Sequence, residues 1–93
     1  MRDSTQVILD ARLFAGKVEE VQDQTDAEDN VLTFSAPIAG VEIYHAEATA
    51  QEFEVNGLTL TVPPGGWRSP IGGTESAEVT IPEGVDCIVM RLS

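Results

Sequence analysis

Residues 53–67, FEVNGLTLTVPPGGW, alternate apolar and polar side chains on both sides of Asn56-Gly57 and then stop at two prolines and two glycines. Asn-Gly supplies the two positive-φ positions of a type I′ turn, whose twist matches that of the strands it joins. A two-residue loop here pairs Val55 with Leu58, Phe53 with Leu60 and Gln51 with Val62, so the apolar side chains share one face. Glu52 and Glu54 then lie opposite Thr61 and Thr59 on a wet face. The strand ends at Pro63, because neither Pro63 nor Pro64 has an amide proton to donate. Pro64-Gly65 suits the central positions of a type II turn, with the glycine at φ > 0. The stretch reads as a β-hairpin with a hard stop.

The same texture extends outward. VLTFSAP, GVEIYHAEA, QEFEV, LTLTV, SAEVTIP and DCIVMRL follow one another from residue 31, separated by Gly, Pro and Asn. Short strands with regular turn punctuation predict an all-β fold, a small antiparallel β-sandwich of jelly-roll-like type over residues 31–93. Alternation places Val41, Ile43 and His45 on one side of their strand, with Glu42 and Tyr44 on the other. Val79 and Ile81 point inward and Thr80 outward. In the closing strand Ile88, Met90 and Leu92 oppose Cys87, Val89 and Arg91. Both faces there are largely apolar, which predicts a strand covered on both sides until Arg91 reaches water.

Residues 1–30 read as an extended N-terminal arm followed by an acidic loop. TQVILDARLF, at 5–14, favours one strand or two short ones. EEVQDQTDAEDN, at 19–30, holds six carboxylates and few hydrophobes, so it is expected to be exposed and mobile. Its spacing does not match a calcium-binding EF-hand loop. The first sixteen residues contain no uninterrupted apolar stretch, since Asp10 and Arg12 break it. Neither a signal peptide nor a membrane span is expected there, which predicts synthesis in the cytoplasm without export.

Ninety-three residues make one domain with a modest core, burying about two-thirds of the unfolded surface. The apolar fraction of 42% is that of a globular protein. Sixteen acidic residues against five basic ones give a net charge of −11. That surface repels phosphate backbones and anionic membranes, so neither nucleic acid nor membrane is an expected partner. With one cysteine there is no internal disulfide, and oligomerisation or docking on a larger body is the natural source of extra stability. Cys87 sits in the apolar run VDCIVMRL and is expected to be a buried, inert thiol.

No catalytic constellation, metal site or cofactor motif is expected. The one histidine, His45, has no serine or cysteine in an activating motif near it in sequence, and one His with one Cys is a thin metal-ligand supply. A carboxylate pair for glycoside hydrolysis needs a cleft that so small a chain has little room for. The glycines of PPGGW and PIGGTE lack the lysine and helix of a phosphate loop and read as turn residues. Trp67-Arg68 follows a rigid turn and has the composition of an interface hot spot, although Trp67 would equally cap the core. These two residues, with Tyr44, are the candidate partner-binding residues.

The run TFSAPIAGVEIYHAEATAQEFEVNGLTLTVPPGG, followed by EVTIP and CIVMRL, resembles small β-sandwich structural proteins of tailed bacteriophage particles. The likeness lies in a strand ending in NG, a strand ending in VPPG, a VTI strand and a closing strand with arginine, and spans about residues 33–92. IYHAEA departs from it, with histidine where asparagine follows the IxI-like strand. The resemblance implies a non-enzymatic virion component: a head decoration (cement) protein, or a small tail or fibre-base subunit. It implies capsid or tail proteins as partners, and self-assembly, with a trimer favoured. The competing expectation is a carbohydrate- or ligand-binding sandwich module, which would need exposed aromatics on a concave face. An enzyme is the least favoured class.

Overall fold

A computed structural model describes residues 17–72 and 76–93. The strand expected within 5–14, and the rest of the arm before Lys17, lie outside the described residues. Among the described residues the chain forms eight strands: β1 (Val18–Asp23), β2 (Val31–Thr33), β3 (Gly40–His45), β4 (Gln51–Val55), β5 (Leu58–Val62), β6 (Gly65–Pro70), β7 (Glu78–Thr80) and β8 (Cys87–Leu92). They make two four-stranded sheets, ordered β1-β8-β3-β6 and β2-β7-β4-β5, with every pairing antiparallel.

The topology follows from one long folded-back ribbon. First pairs with eighth, second with seventh, third with sixth and fourth with fifth. Rolling that ribbon up brings β3 against β8 and β4 against β7, which closes the two sheets. This is the jelly roll, two interlocked Greek keys forming a sandwich.

The ribbon's tip is the Asn56-Gly57 hairpin. Its register is Val55↔Leu58, Phe53↔Leu60 and Gln51↔Val62, with Glu54↔Thr59 and Glu52↔Thr61 between them. Asn56 and Gly57 have φ of 53° and 76°, and Gly65 after the two prolines has φ of 92°. The core lies between the sheets and includes Leu32, Ile38, Val41, Ile43, Phe53, Val55, Val62, Val79 and Val89, all essentially inaccessible to water. Val41, Ile43 and His45 face it from β3, as alternation requires, and Val79 and Ile81 do so around β7.

Three expectations are corrected. The acidic segment 19–30 is not a free loop: its first part belongs to β1, which pairs with β8 from Val18↔Leu92 to Asp23↔Ile88, and a short 3-10 turn (Gln24–Asp26) follows. The carboxylates there act as structural acceptors. Glu20 accepts the backbone N–H of Ser35, at 3.0 and 3.1 Å, and its hydroxyl at 2.6 Å. Asp23 caps the 3-10 turn, accepting from the Thr25 amide at 2.8 Å while Asp26 accepts the Asp23 amide. Second, Gly65–Pro70 is a strand that the series of strands expected from the sequence does not include. Third, β8 is covered on both sides at Leu92 but not at Ile88, and Arg91 does not run out into water. Its Nε donates to Glu20 at 2.7 Å, and its side chain is only 14% exposed. On the opposite face Ile88 remains 43% exposed.

Candidate interaction face

The register of the β1-β8-β3-β6 sheet sorts its outward side chains into three rows. Across the sheet they read Asp23–Ile88–Tyr44–Gly66, then Val21–Met90–Glu42–Arg68, then Val18–Leu92–Gly40–Pro70, where Leu92 and Gly40 are buried. A solvent-facing sheet surface is ordinarily polar. This one carries four of the five exposed large hydrophobic residues among those described: Val18, Val21 (58% exposed), Tyr44 (41%) and Ile88. Strand and residue spacings put the rows in a rectangle on the order of 300 Å², the size of patch that on a monomer is often functional.

In the middle row of this surface charge is cancelled within a pair. Arg68 donates through Nε to the Glu42 carboxylate. A hydrogen bond to the same carboxylate, then its charge, raises the Tyr44 phenol above its usual range. Arg68, Glu42 and Tyr44 therefore form one connected polar group in an apolar surround. The Tyr44 ring is held from a second side by Gly66. A Cβ at position 66 would stand 2.3 Å from Tyr44 Cε1, so a side chain there is incompatible with the ring's place.

The outer face of the other sheet is of the opposite character. Glu52, Glu54, Thr59, Thr61, Glu78 and Thr80 point outward and are exposed, with no cation among them. The described cations are Lys17, just before β1, Arg68 on β6 and Arg91 on β8. The sandwich thus has a wet, anionic side and a side of apolar rows around one internal ion pair.

The candidate residues separate accordingly. Tyr44 and Arg68 come together on the outer face. Trp67 pairs with Ile43 and packs half-buried against the core. Val18, Val21, Ile88 and Met90, which sequence reasoning did not select, complete the face. The signal in the sequence is Ile88 and Met90 alternating with Cys87 and Val89, a pattern that a strand covered on both sides shares.

His45 is 6% exposed, and both of its ring nitrogens are engaged by backbone. Nδ1 accepts the Glu47 amide at 3.1 Å, which leaves the proton on Nε2 to be donated to the Val62 carbonyl at 2.9 Å. The ring also stacks on Phe53 with centroids 6.3 Å apart, so it ties β3 of one sheet to the end of β5 in the other. Burial, then the charges of Asp23 and Asp86, pushes the Cys87 thiol up to about 11. No group of three or more metal-ligating side chains gathers among the described residues, and no helix there is long and apolar enough to cross a membrane. No protein-family model, curated protein or solved structure matches the chain.

Proposed function

We propose that this chain is a non-enzymatic structural protein of a tailed-bacteriophage particle, a capsid decoration protein that attaches through the outer face of the β1-β8-β3-β6 sheet. The observation that carries the reading is that face: exposed apolar rows with an internally neutralised ion pair, on a chain of net charge −11. A strongly anionic molecule approaches another protein most easily where its own charge is cancelled, and apolar burial there supplies the affinity. A patch of about 300 Å² is smaller than the ~800 Å² per partner of a standard interface. It would form the interface core, with the residues that flank this sheet supplying the rim.

The identity of the partner rests on the resemblance of residues 33–92 to phage sandwich proteins, and on the jelly roll, which recurs in viral capsid domains. The fold alone would not decide it, since lectins share it. Sugar-binding surfaces favour exposed aromatics, and here Phe34 and Phe53 are buried and Trp67 is half-buried, leaving Tyr44 as the exposed aromatic among the described residues. A tail or fibre-base position is the second reading, supported by the same face.

The test is to measure the mass of the purified protein by light scattering, with a trimer expected, and to sediment it with undecorated heads and with tails of the phage that encodes it. Saturable co-sedimentation with heads is the expected result, and with tails alone the second reading stands. A monomer that ignores both and binds a sugar on a glycan array would overturn the proposal in favour of a ligand-binding module.

A further inference from the structure

At the end of the sheet where β3 finishes and β8 begins, a cavity of about 480 Å³ opens beside Tyr44 and Ile88. We infer that this cavity receives an arginine side chain of the partner protein, its guanidinium held by the carboxylates of Asp23 and Asp86 and stacked on the Tyr44 ring. The inference rests on attachment through the face just described, because Tyr44 and Ile88 belong to both.

Size, lining and charge converge on that occupant. The volume lies in the range of small-ligand sites, ample for one long side chain. Tyr44, Ala46, Ile88 and the buried Cys87 give largely apolar walls, while Asp23 enters from the end of β1 and Asp86 from the residue before β8. Among the described residues no lysine or arginine lines the cavity to answer those carboxylates. Asp23 stays ionised, since the Thr25 hydroxyl and amide hold its carboxyl below the usual range. Both carboxylates belong to residues that line this one cavity.

An occupant must therefore be cationic at its head and apolar along its stem. A carboxylate would be repelled, and an apolar side chain would desolvate two charges without compensation. Arginine meets both demands and adds a planar head that pairs with carboxylates and stacks on an aromatic ring. Lysine offers a more strongly hydrated point charge and loses the stacking. The ring is a prepared platform, held by Glu42 at its hydroxyl and by Gly66 beneath.

The experiment is a titration of the full-length ¹⁵N-labelled protein with N-acetyl-arginine methylamide, followed by amide shifts. The lysine and citrulline analogues serve as comparators, citrulline keeping the shape without the charge. Saturable shifts at Gln24, Ala46, Asp86 and Ile88 are expected, with a dissociation constant on the order of millimolar. Lysine should bind several-fold more weakly and citrulline at least tenfold more weakly. Asp86→Asn, an exposed position, should weaken arginine binding several-fold without altering the rest of the spectrum. Absence of saturation, equal binding of citrulline or lysine, or an unaffected Asp86→Asn would each overturn the inference. The assay contains no partner. Arginine binding without sedimentation on heads or tails therefore sinks the attachment reading, whereas sedimentation without arginine binding sinks the cavity alone.

Discussion

Replacing Gly57 with alanine isolates the conformational demand of the hairpin that organises the fold. Gly57 has φ of +76°, and a Cβ built there meets no atom within 4 Å. The substitution therefore creates no clash, and its whole cost is the left-handed backbone. That conformation costs a non-glycine residue roughly 1–2 kcal/mol, offset in part by the ~0.4–1 kcal/mol gained from a stiffer unfolded chain. The net is a loss of about 1 kcal/mol, or a fall in Tm of about 4–8 °C for a domain of this size. Gly57→Val should cost more, because a β-branched residue is a true outlier at positive φ. Gly72→Ala is the matched control: its surroundings are equally open and its φ is not positive, so it should be neutral or slightly stabilising. Thermal unfolding followed by circular dichroism reads all three. Equal Tm values for Gly57→Ala and Gly72→Ala would mean that the type I′ turn is absent and the register derived from it is wrong.

Other outcomes follow from particular contacts. Glu20 is held below its ordinary pKa, first by the Ser35 hydroxyl and then by Arg91. Its contribution is thus present above about pH 4 and lost as pH falls through the lowered value. The Tm gap between wild type and Glu20→Gln should be open at pH 6 and close on acidification, whereas a gap that widens in acid would contradict the assignment. Cys87 is 3% exposed, with its thiol at about 11. A disulfide reagent at pH 8 should therefore leave it unmodified in the native protein and label it fully in denaturant, and rapid native labelling would place the residue at the surface. Gly66→Ala should expel the Tyr44 ring, which stands 2.3 Å from the new methyl. Loss of the ring's nuclear Overhauser contacts to residue 66, with the core signals unchanged, is the expected signature.

Strands whose inward positions are hydrophobic were legible, and so was the hairpin register, because each turn has its own chemistry. β1 and β6 were not, and both are edges of the same sheet. The inward residues of β1 include Glu20 and Gln22, which bond across the open edge to Ser35 and to the Thr33 carbonyl, at 2.7 Å for the latter. Its valines point outward, so its pattern is inverted. β6 presents Gly65, Trp67 and Ser69 inward, a series with no alternation to detect. The candidate face was half-visible for the same reason. Tyr44 and Arg68 stood out by residue type, but Val21 lay in a segment read as loop, and Ile88 and Met90 in a strand read as covered. Which strand faces have a covering layer is decided by sheet order, and that order depends on long-range pairings a local pattern does not carry.

The central claim is that the β1-β8-β3-β6 face, and not the acidic face opposite, meets the partner. It is tested most directly by placing the same new charge on each side. Val21→Lys and Thr61→Lys both alter exposed strand positions, and both add one positive charge. Thermal unfolding should show the two variants folded alike, and their binding to undecorated heads, measured by sedimentation over a concentration series, should separate them. Val21→Lys is predicted to weaken binding by about tenfold or more, as expected for a buried interface position, while Thr61→Lys stays close to wild type. Unimpaired binding by Val21→Lys, or a loss confined to Thr61→Lys, would contradict the claim and move the contact to the other sheet.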